Sequence, residues 1–240
     1  MSALFATAIV PAYNEAKRIG VVLEVLIHCK CFNQIIVIDD GSRDGALKAV
    51  TKYPVECHRL TVNKGKGKAM DIGVKLAKNQ CIFFCDADLK GLNKKIVMET
   101  VMPVLMRQAD MSIALRPRTL YALHRLNKYI PILEGQRALT KSLWRKLPEY
   151  YKQGYRIEAG LNAFASYFCS NIKYRVFPGL DQTVKESKHG ILRGTVQRWR
   201  MHLDILRAYK QFFLHDRRLI MAKRPFWTKG KAARIYQTGF

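Results

Sequence analysis

The run Cys81-Ile82-Phe83-Phe84-Cys85 is the stretch that most narrows what this chain can fold into. Five consecutive apolar residues, aromatic and β-branched among them, show no two-residue alternation. They predict a strand covered on both faces, the kind found inside a parallel sheet. The run stops abruptly at Asp86-Ala87-Asp88. Carboxylates at i and i+2 of an extended segment point the same way, and at a strand end they can share one hard cation. Mg2+ or Mn2+ bound in this manner keeps positions open for phosphate oxygens, so Asp86 and Asp88 are candidate ligands of a metal–diphosphate site. A helix cap or a solvated turn is the plainer reading of the same two acids.

Upstream, the same design repeats. Phe5 to Val10 is a short apolar run that Pro11 should end, leaving Pro11-Ala12-Tyr13-Asn14-Glu15 as a loop. Ile19, Val22, Leu23, Leu26 and Ile27 follow at helical spacing, and Gln34 to Ile38 is a second strand that runs into Asp39-Asp40-Gly41-Ser42. A helix over 43–52 and a short strand over 55–60 come next. Asn63-Lys64-Gly65-Lys66-Gly67-Lys68-Ala69 then opens a helix carrying Met70, Val74 and Leu76. Strands alternating with helices predict a doubly wound, mostly parallel α/β sheet of Rossmann-like type. Such sheets bind ligands outside the carboxyl ends of their strands, so Tyr13, Asp40, Lys64, Asp86 and Asp88 should share one crevice. Two glycines at a helix start admit an anion close to the backbone, although a solvated charge run reads the same way. The GxxxxGK[ST] spacing of a Walker loop is missing, and so is a GxGxxG fingerprint after the first strand.

Charge adds a second constraint. Lys and Arg number 42 against 18 Asp and Glu, a formal net of +24. Such a field attracts polyanions: nucleic acid, an anionic membrane surface or phosphorylated substrates. No RNA- or DNA-binding motif accompanies it, so no nucleic-acid partner is expected, and a basic nucleic-acid-binding module is the distant alternative. The six cysteines show neither a CxxC pair nor zinc spacing, which favours a reduced, cytoplasmic setting. The sequence shows no basic n-region with a small-residue cleavage site and no uncharged apolar window of membrane-spanning length. A soluble or peripheral protein, without signal peptide or transmembrane helix, is expected.

Val10-Pro11-Ala12-Tyr13-Asn14-Glu15, Ile38-Asp39-Asp40-Gly41-Ser42, Asn63-Lys64-Gly65-Lys66-Gly67 and Asp86-Ala87-Asp88 occur in that order within about 80 residues. Together they resemble the nucleotide-sugar-binding half of glycosyltransferase family 2, which has the GT-A fold. The resemblance implies a donor pocket of Pro11, Tyr13, Glu15, Asp40, Lys64, Gly65, Lys68 and Ala87, with Asp40 meeting the base. It also implies a divalent metal, Mg2+ or Mn2+, on Asp86 and Asp88, which are thereby catalytic. The donor it implies is a nucleoside-diphosphate sugar, UDP- or GDP-linked.

The second half carries fewer signals. A strand over Asp110 to Leu115 leads into Arg116-Pro117-Arg118, whose arginines can pair with a phosphate. Gly135-Gln136-Arg137-Ala138-Leu139 precedes a helix to Leu147, and Gly154-Tyr155-Arg156-Ile157-Glu158 begins another. These segments resemble the dolichol- and polyprenyl-phosphate sugar synthase branch, and also the retaining glucosyl- and mannosyl-phosphoglycerate synthases. In both, the region faces the acceptor. Arg116, Arg118, Gln136 and Arg137 are therefore expected on the acceptor side, with Glu158 catalytic, though an acid near a helix start is also favoured by the dipole alone. Resemblance to the phosphoglycerate synthases makes His189 a third metal ligand; a surface histidine is the alternative. The sequence departs from many inverting members of the family in having no Glu-Asp or Asp-Glu-Asp segment after Asp88, which leaves a dedicated catalytic base unassigned. A phosphate acceptor is already ionised and needs none, whereas a hydroxyl normally does. A polyprenyl phosphate or glycolipid acceptor is expected, with a soluble retaining transferase as the alternative; a homo-oligomer is possible on these features.

From Ile191 the chain changes character. Leu192, Val196, Trp199, Leu203, Leu206 and Phe213 fall on one helical stripe, with Arg193, Gln197, Arg200, Asp204, Arg207 and Gln211 opposite. Residues 188–240 carry 13 Lys and Arg against Asp204 and Asp216. The division expected is a GT-A domain over 1–190, with a nucleotide-sugar half (1–115) and an acceptor half (116–190), then a basic amphipathic helical extension over 191–240. Its stripe either docks on an anionic membrane, at the inner cytoplasmic face, or packs on the domain.

Overall fold

The computed structural model describes residues 4–117, 135–169, 171–182 and 203–218. A seven-stranded sheet runs through it in the order β3-β2-β1-β4-β7-β6-β8. The strands are β1 (Ala6–Ala12), β2 (Phe32–Asp39), β3 (Glu56–Arg59), β4 (Cys81–Phe84), β6 (Met111–Leu115), β7 (Arg137–Thr140) and β8 (Ile172–Val176). Neighbouring strands are parallel except around β7, which lies antiparallel to both β4 and β6. A short ribbon pairs β5 (Leu89–Lys90) with β9 (Asp181–Gln182) directly after Asp88. The expected mostly parallel α/β sheet is the one that forms.

Side-chain size decides how the layers close on it. Ala6, Ala8, Val10 and Ala12 of β1 face a core shared with α1 (Ile19–Ile27) and α4 (Lys94–Leu105). Small residues there let those helices sit close to the sheet. Ile9, Ile36 and Ile38 face the other way, toward α3 (Lys66–Leu76), α5 (Lys141–Lys146) and α6 (Arg156–Phe168). β4 contributes to both cores, Phe83 to the first and Phe84 to the second, as its unbroken apolar run predicts. α2 (Ala46–Val50) completes the first layer.

Two expectations change. β1 does not stop at Val10 but continues through Pro11 to Ala12, in register with Ile38 and Asp39 of β2. The carbonyl of Ala12 accepts from Asp40 on the β2 side, while that of Ile9 accepts from Cys85 on the β4 side. Alternation therefore turns the missing N–H of Pro11 toward β4, whose pairing with β1 has ended at Ile9. No ladder bond is lost. The second change is β7: Arg137–Thr140 is a buried strand inserted between β4 and β6, where sequence gave only a lead-in to a helix. Four residues are too few to display a period.

Residues 203–218 form the last described helix, α7, with a π turn at Phe212–Asp216. Ile205, Ala208 and Phe212 are buried in the second core, Phe212 lying 5.5 Å from the Phe164 ring and 5.3 Å from Tyr167. Burying a phenylalanine of this kind stabilises the docking of α7 by about 2 kcal/mol. Leu203, Leu206 and Phe213 of the expected stripe point outward instead. Leu192, Val196 and Trp199 lie outside the described residues. No described helix is long and apolar enough to cross a membrane.

Candidate functional site

The loops at the carboxyl ends of β1 and β2 are knitted together through backbone N–H groups. Asn14 N–H donates to Ser42 Oγ at 2.9 Å, and Arg43 N–H returns a bond to Asn14 Oδ1 at 2.9 Å. Asp39 Oδ1 accepts from Ser42 N–H at 2.9 Å. Asp40 is turned the other way: Oδ1 accepts from Lys64 N–H at 2.7 Å and Oδ2 from Gly65 N–H at 2.8 Å. Burial pushes the Asp40 carboxyl above its ordinary range, and those two N–H bonds pull it partly back. Gly65 makes this possible with φ 86° and ψ 157°, a conformation essentially reserved for glycine. Pro11 lies beside Ile38 at the floor, and Tyr13 is exposed just beyond it. Glu15 is buried, bonds Arg18 at 3.0 Å, and gives its carbonyl to the first N–H groups of α1.

One residue past Gly65 the site becomes ionic. Lys66, first in α3, places its Nζ 2.8 Å from Asp86 Oδ1 and 2.7 Å from Glu158 Oε1. Burial alone would lower the pKa of that ammonium, but the two facing carboxylates outweigh it and hold the pKa above the usual lysine range. Gln136 Nε2 donates to the other Asp86 oxygen at 3.0 Å, and its buried Oε1 has no hydrogen-bond partner among the described residues. Gly135 lies against the same carboxylate, where an added Cβ would stand 2.2 Å from Oδ2 and 2.5 Å from Oδ1. Asp88 is buried directly before β5. Four chain segments thus meet at Asp86: the end of β4, the start of α3, the start of β7 and the first turn of α6.

The remaining expected residues are distributed unevenly. The side chain of Lys64 is exposed, and it is the Lys64 backbone that holds Asp40. Lys68 turns away from Asp86, lying 3.7 Å from Asp71 and 3.9 Å from Glu149. Lys66, of the same run but outside the expected donor pocket, is the lysine among the carboxylates. The available signal was its position between two glycines at a helix start. Arg137 was expected on the acceptor. It is wholly buried and donates to Asn162 of α6 at 3.0 Å, so in this arrangement it ties β7 to α6. Ala87 is buried between the two acids, and Arg116 is half-buried at the carboxyl end of β6. Arg118 and His189 lie outside the described residues.

The donor set suits Mg2+ or Mn2+: it consists of hard oxygens, it includes an orphaned amide oxygen, and it already holds one positive charge in the Lys66 ammonium. Among the described residues no three His, Cys, Asp or Glu side chains converge closely enough to hold a cation unaided. That is the usual situation for magnesium, which binds one or two carboxylates and takes its other oxygens from substrate phosphate.

A seven-stranded sheet with an N–H-bound acid directly after β2, a glycine turn into α3 and paired acids after β4 defines the class as a GT-A-like α/β fold. The glycosyl transferase family 2 model matches residues 7–177, and the chain belongs to that family. Mouse dolichyl-phosphate β-glucosyltransferase is 33% identical over 98 residues, covering 34% of this chain and 30% of that protein. An uncharacterized protein of Methanocaldococcus jannaschii is 38% identical over 111 residues, 45% of each chain. The chain thus spans less than half the length of these curated relatives. The fold is shared with glucosyl-3-phosphoglycerate synthase from Mycobacterium tuberculosis, crystallised with Mn2+, UDP and glucosyl-3-phosphoglycerate (TM-score 0.69, 19% identity, 86% of this chain and 80% of that one). It is also shared with mannosyl-3-phosphoglycerate synthase from Rubrobacter xylanophilus (TM-score 0.68, 18% identity, 94% and 79%).

Proposed function

We propose that this protein is a metal-dependent glycosyltransferase that moves a sugar from a UDP- or GDP-sugar to the phosphate of a membrane-borne polyprenyl lipid. The observation that carries the reading is the Asp86–Lys66–Glu158 constellation at the strand ends, within a family 2 chain. Asp40, fixed by two N–H groups, keeps a second lone pair on each oxygen for donors on a nucleobase. Tyr13, exposed at the same loop, offers an aromatic face to the base, with Pro11 and the buried Glu15 to either side of it in the chain. A divalent ion on Asp86 and Asp88, with His189 as a possible further ligand, would supply charge neutralisation at the departing diphosphate.

Lys66 then has a defined task. Its ammonium neutralises Asp86 and Glu158 before the donor arrives and sits one residue from the Gly65 turn, within reach of a diphosphate. Glu158, committed to Lys66, is poorly placed to take a proton, which favours an acceptor that arrives ionised. A phosphate monoester meets that need, and Arg116, Arg118 and Gln136 are the candidates to orient it. The dolichyl-phosphate relatives support the lipid form of that acceptor; the shared fold of the phosphoglycerate synthases supports a phosphorylated small acid as the second reading. The site is proposed to work at the cytoplasmic side of a membrane.

The test is transfer by the purified protein with Mn2+ or Mg2+, a panel of UDP- and GDP-sugars, and either a short-chain polyprenyl phosphate or 3-phosphoglycerate. Glycosyl transfer to the prenyl phosphate is the expected result. Transfer to the small acid alone would establish the second reading. Metal-dependent donor binding with neither product would move the acceptor to a glycolipid hydroxyl, and no donor binding would overturn the proposal.

A further inference from the structure

α7 presents a surface that the sheet does not use. Leu203, Leu206, Phe213 and Leu214 are 44%, 65%, 53% and 49% exposed. Arg207, Lys210, Arg217 and Arg218 are exposed around them. Both acids of the helix are turned elsewhere: Asp204 lies 3.7 Å from Arg156 and 3.9 Å from Arg207, and Asp216 accepts from the Tyr151 hydroxyl. The outward face therefore combines four large apolar side chains with four cations, and its one neighbouring acid, Asp204, reaches only Arg207 at its edge. Within the π turn Phe212 is buried while Phe213 and Leu214, next in sequence, both face out.

We infer that this face docks the protein on an anionic lipid surface, the apolar side chains entering the headgroup boundary and the cations meeting lipid phosphates. The inference rests on the membrane-borne acceptor proposed above. Three observations favour lipid over other occupants. The apolar and basic residues share one face, the composition of an interfacial helix. A second copy meeting this face in an isologous pair would bring Lys210, Arg217 and Arg218 against their like, with Asp204 engaged by Arg156 and Arg207. Nucleic acid would use the cations but leave the leucines without a role. The placement also suits the site. Asp204 ties the start of α7 to Arg156 in the first turn of α6, and two residues further on Glu158 reaches Lys66. A bilayer under α7 would lie against the layer that forms the acceptor side.

Flotation of the full chain with phosphatidylcholine vesicles, with and without phosphatidylglycerol, tests the inference. Wild type should partition to the anionic vesicles and detach as salt rises. Leu206→Asp combined with Phe213→Asp should weaken partition roughly tenfold or more, with turnover on a water-soluble short-chain prenyl phosphate unchanged. Because both residues are exposed, folding should survive, and unchanged near-ultraviolet circular dichroism would show it. A second readout avoids disruption altogether: Leu206→Trp should gain fluorescence quenching, relative to wild type, from brominated lipids in the anionic vesicles. Partition of the double variant equal to wild type, no extra quenching at position 206, or a variant that alters only self-association or oligonucleotide binding would each overturn the docking face. Transfer to the soluble prenyl phosphate would stand in all three cases, whereas loss of that transfer with docking intact would sink the acceptor reading alone.

Discussion

Around Asp40 the site is tied by side-chain oxygens to backbone N–H groups, whereas around Asp86 it is tied by one side chain to another. Ser42, Asn14, Asp39 and Asp40 all hold main-chain donors, from partners no more than 29 residues away. Lys66 joins Asp86 to Glu158, 92 residues beyond Lys66 in the chain, and Gln136 reaches Asp86 from 50 residues away. The first kind of bond depends on local turn chemistry and fixes a shape before any ligand arrives. The second kind balances charges that a bound metal and diphosphate would rearrange. The loops around Asp40 thus form a rigid cradle, and the cluster around Asp86 an ionic latch.

The largest test breaks the point where the two sides meet. Asp86→Asn with Asp88→Asn should reduce metal-dependent transfer on the order of a thousandfold, the scale of a metal clamp worth about 4 kcal/mol. The thermal stabilisation that wild type gains from Mn2+ with UDP or GDP should vanish as well. Wild-type transfer by this variant would remove the metal from the mechanism.

Lys66→Met asks whether the latch is ionic. Removing the ammonium leaves Asp86 and Glu158 facing each other with side chains only 10% and 12% exposed, an expected loss of about 3 kcal/mol. Turnover should fall on the order of a hundredfold if Lys66 also meets the diphosphate. The sharper readout is the melting shift given by Mn2+ with UDP or GDP, which should exceed that of wild type because the divalent ion restores the missing charge. A smaller shift would mean that Lys66 helps to form the metal site rather than holding its place.

Gly135→Ala probes the same carboxylate by shape. The new methyl would stand 2.2 to 2.6 Å from the Asp86 carboxyl atoms, so the carboxylate must turn away from Lys66 and Gln136. Gly135 is not among the glycines with positive φ, so the backbone accepts alanine and the fold should persist. Transfer should drop roughly tenfold to a hundredfold, as expected for a small misplacement of a reacting group. An unchanged rate with a shifted Asp86 would show that its position is not critical.

These differences also explain what sequence could reveal. The cradle was legible because each of its parts is a short motif with local physics: a Tyr13-Asn14 loop after β1, an Asp40-Gly41-Ser42 turn after β2, a glycine pair at the start of α3. The latch was legible only in pieces. Glu158, Gln136 and Asp86 could each be singled out, but nothing in their spacing says that Lys66 joins Asp86 to Glu158, or that Arg137 is buried against Asn162. Lys66 and Lys68 are both lysines of one run, and only the path of α3 decides which faces the acids and which turns to Glu149. β7 hid because four residues in a central strand carry no period. The outward stripe of α7 hid for the opposite reason: its period was visible, but amphipathicity does not say which face meets the protein when Ile205, Ala208 and Phe212 compete with Leu203, Leu206 and Phe213.

The smallest expected effect concerns Asp71, which joins the two sides beneath the site without entering it. From α3 it accepts the Trp144 indole N–H at 3.0 Å, and it lies 2.9 Å from Lys75, 3.3 Å from Lys152 and 3.7 Å from Lys68, with Glu149 on the far side of Lys152. Burial would raise its pKa, but the indole and the surrounding ammonium groups win, and the carboxyl titrates below its ordinary value. A depressed folded pKa means that the unfolded chain binds the proton more readily. The stabilisation is therefore fully present above the unfolded aspartate value of about 3.9 and is lost as pH falls through the lower folded value. Asp71→Asn keeps the acceptor for Trp144 but leaves Lys152 partly uncompensated, an expected loss of about 2 kcal/mol near neutral pH. The stability gap between wild type and variant, measured by urea unfolding, should hold steady from pH 7 to about pH 5 and close below about pH 4. Turnover per folded molecule should stay within roughly twofold of wild type, because no charge at Asp86 changes. A gap that persists unchanged at pH 3 would show that Asp71 acts through packing and the indole bond alone. In that case the two sides of the site are welded by the buried Trp144 side chain rather than by charge.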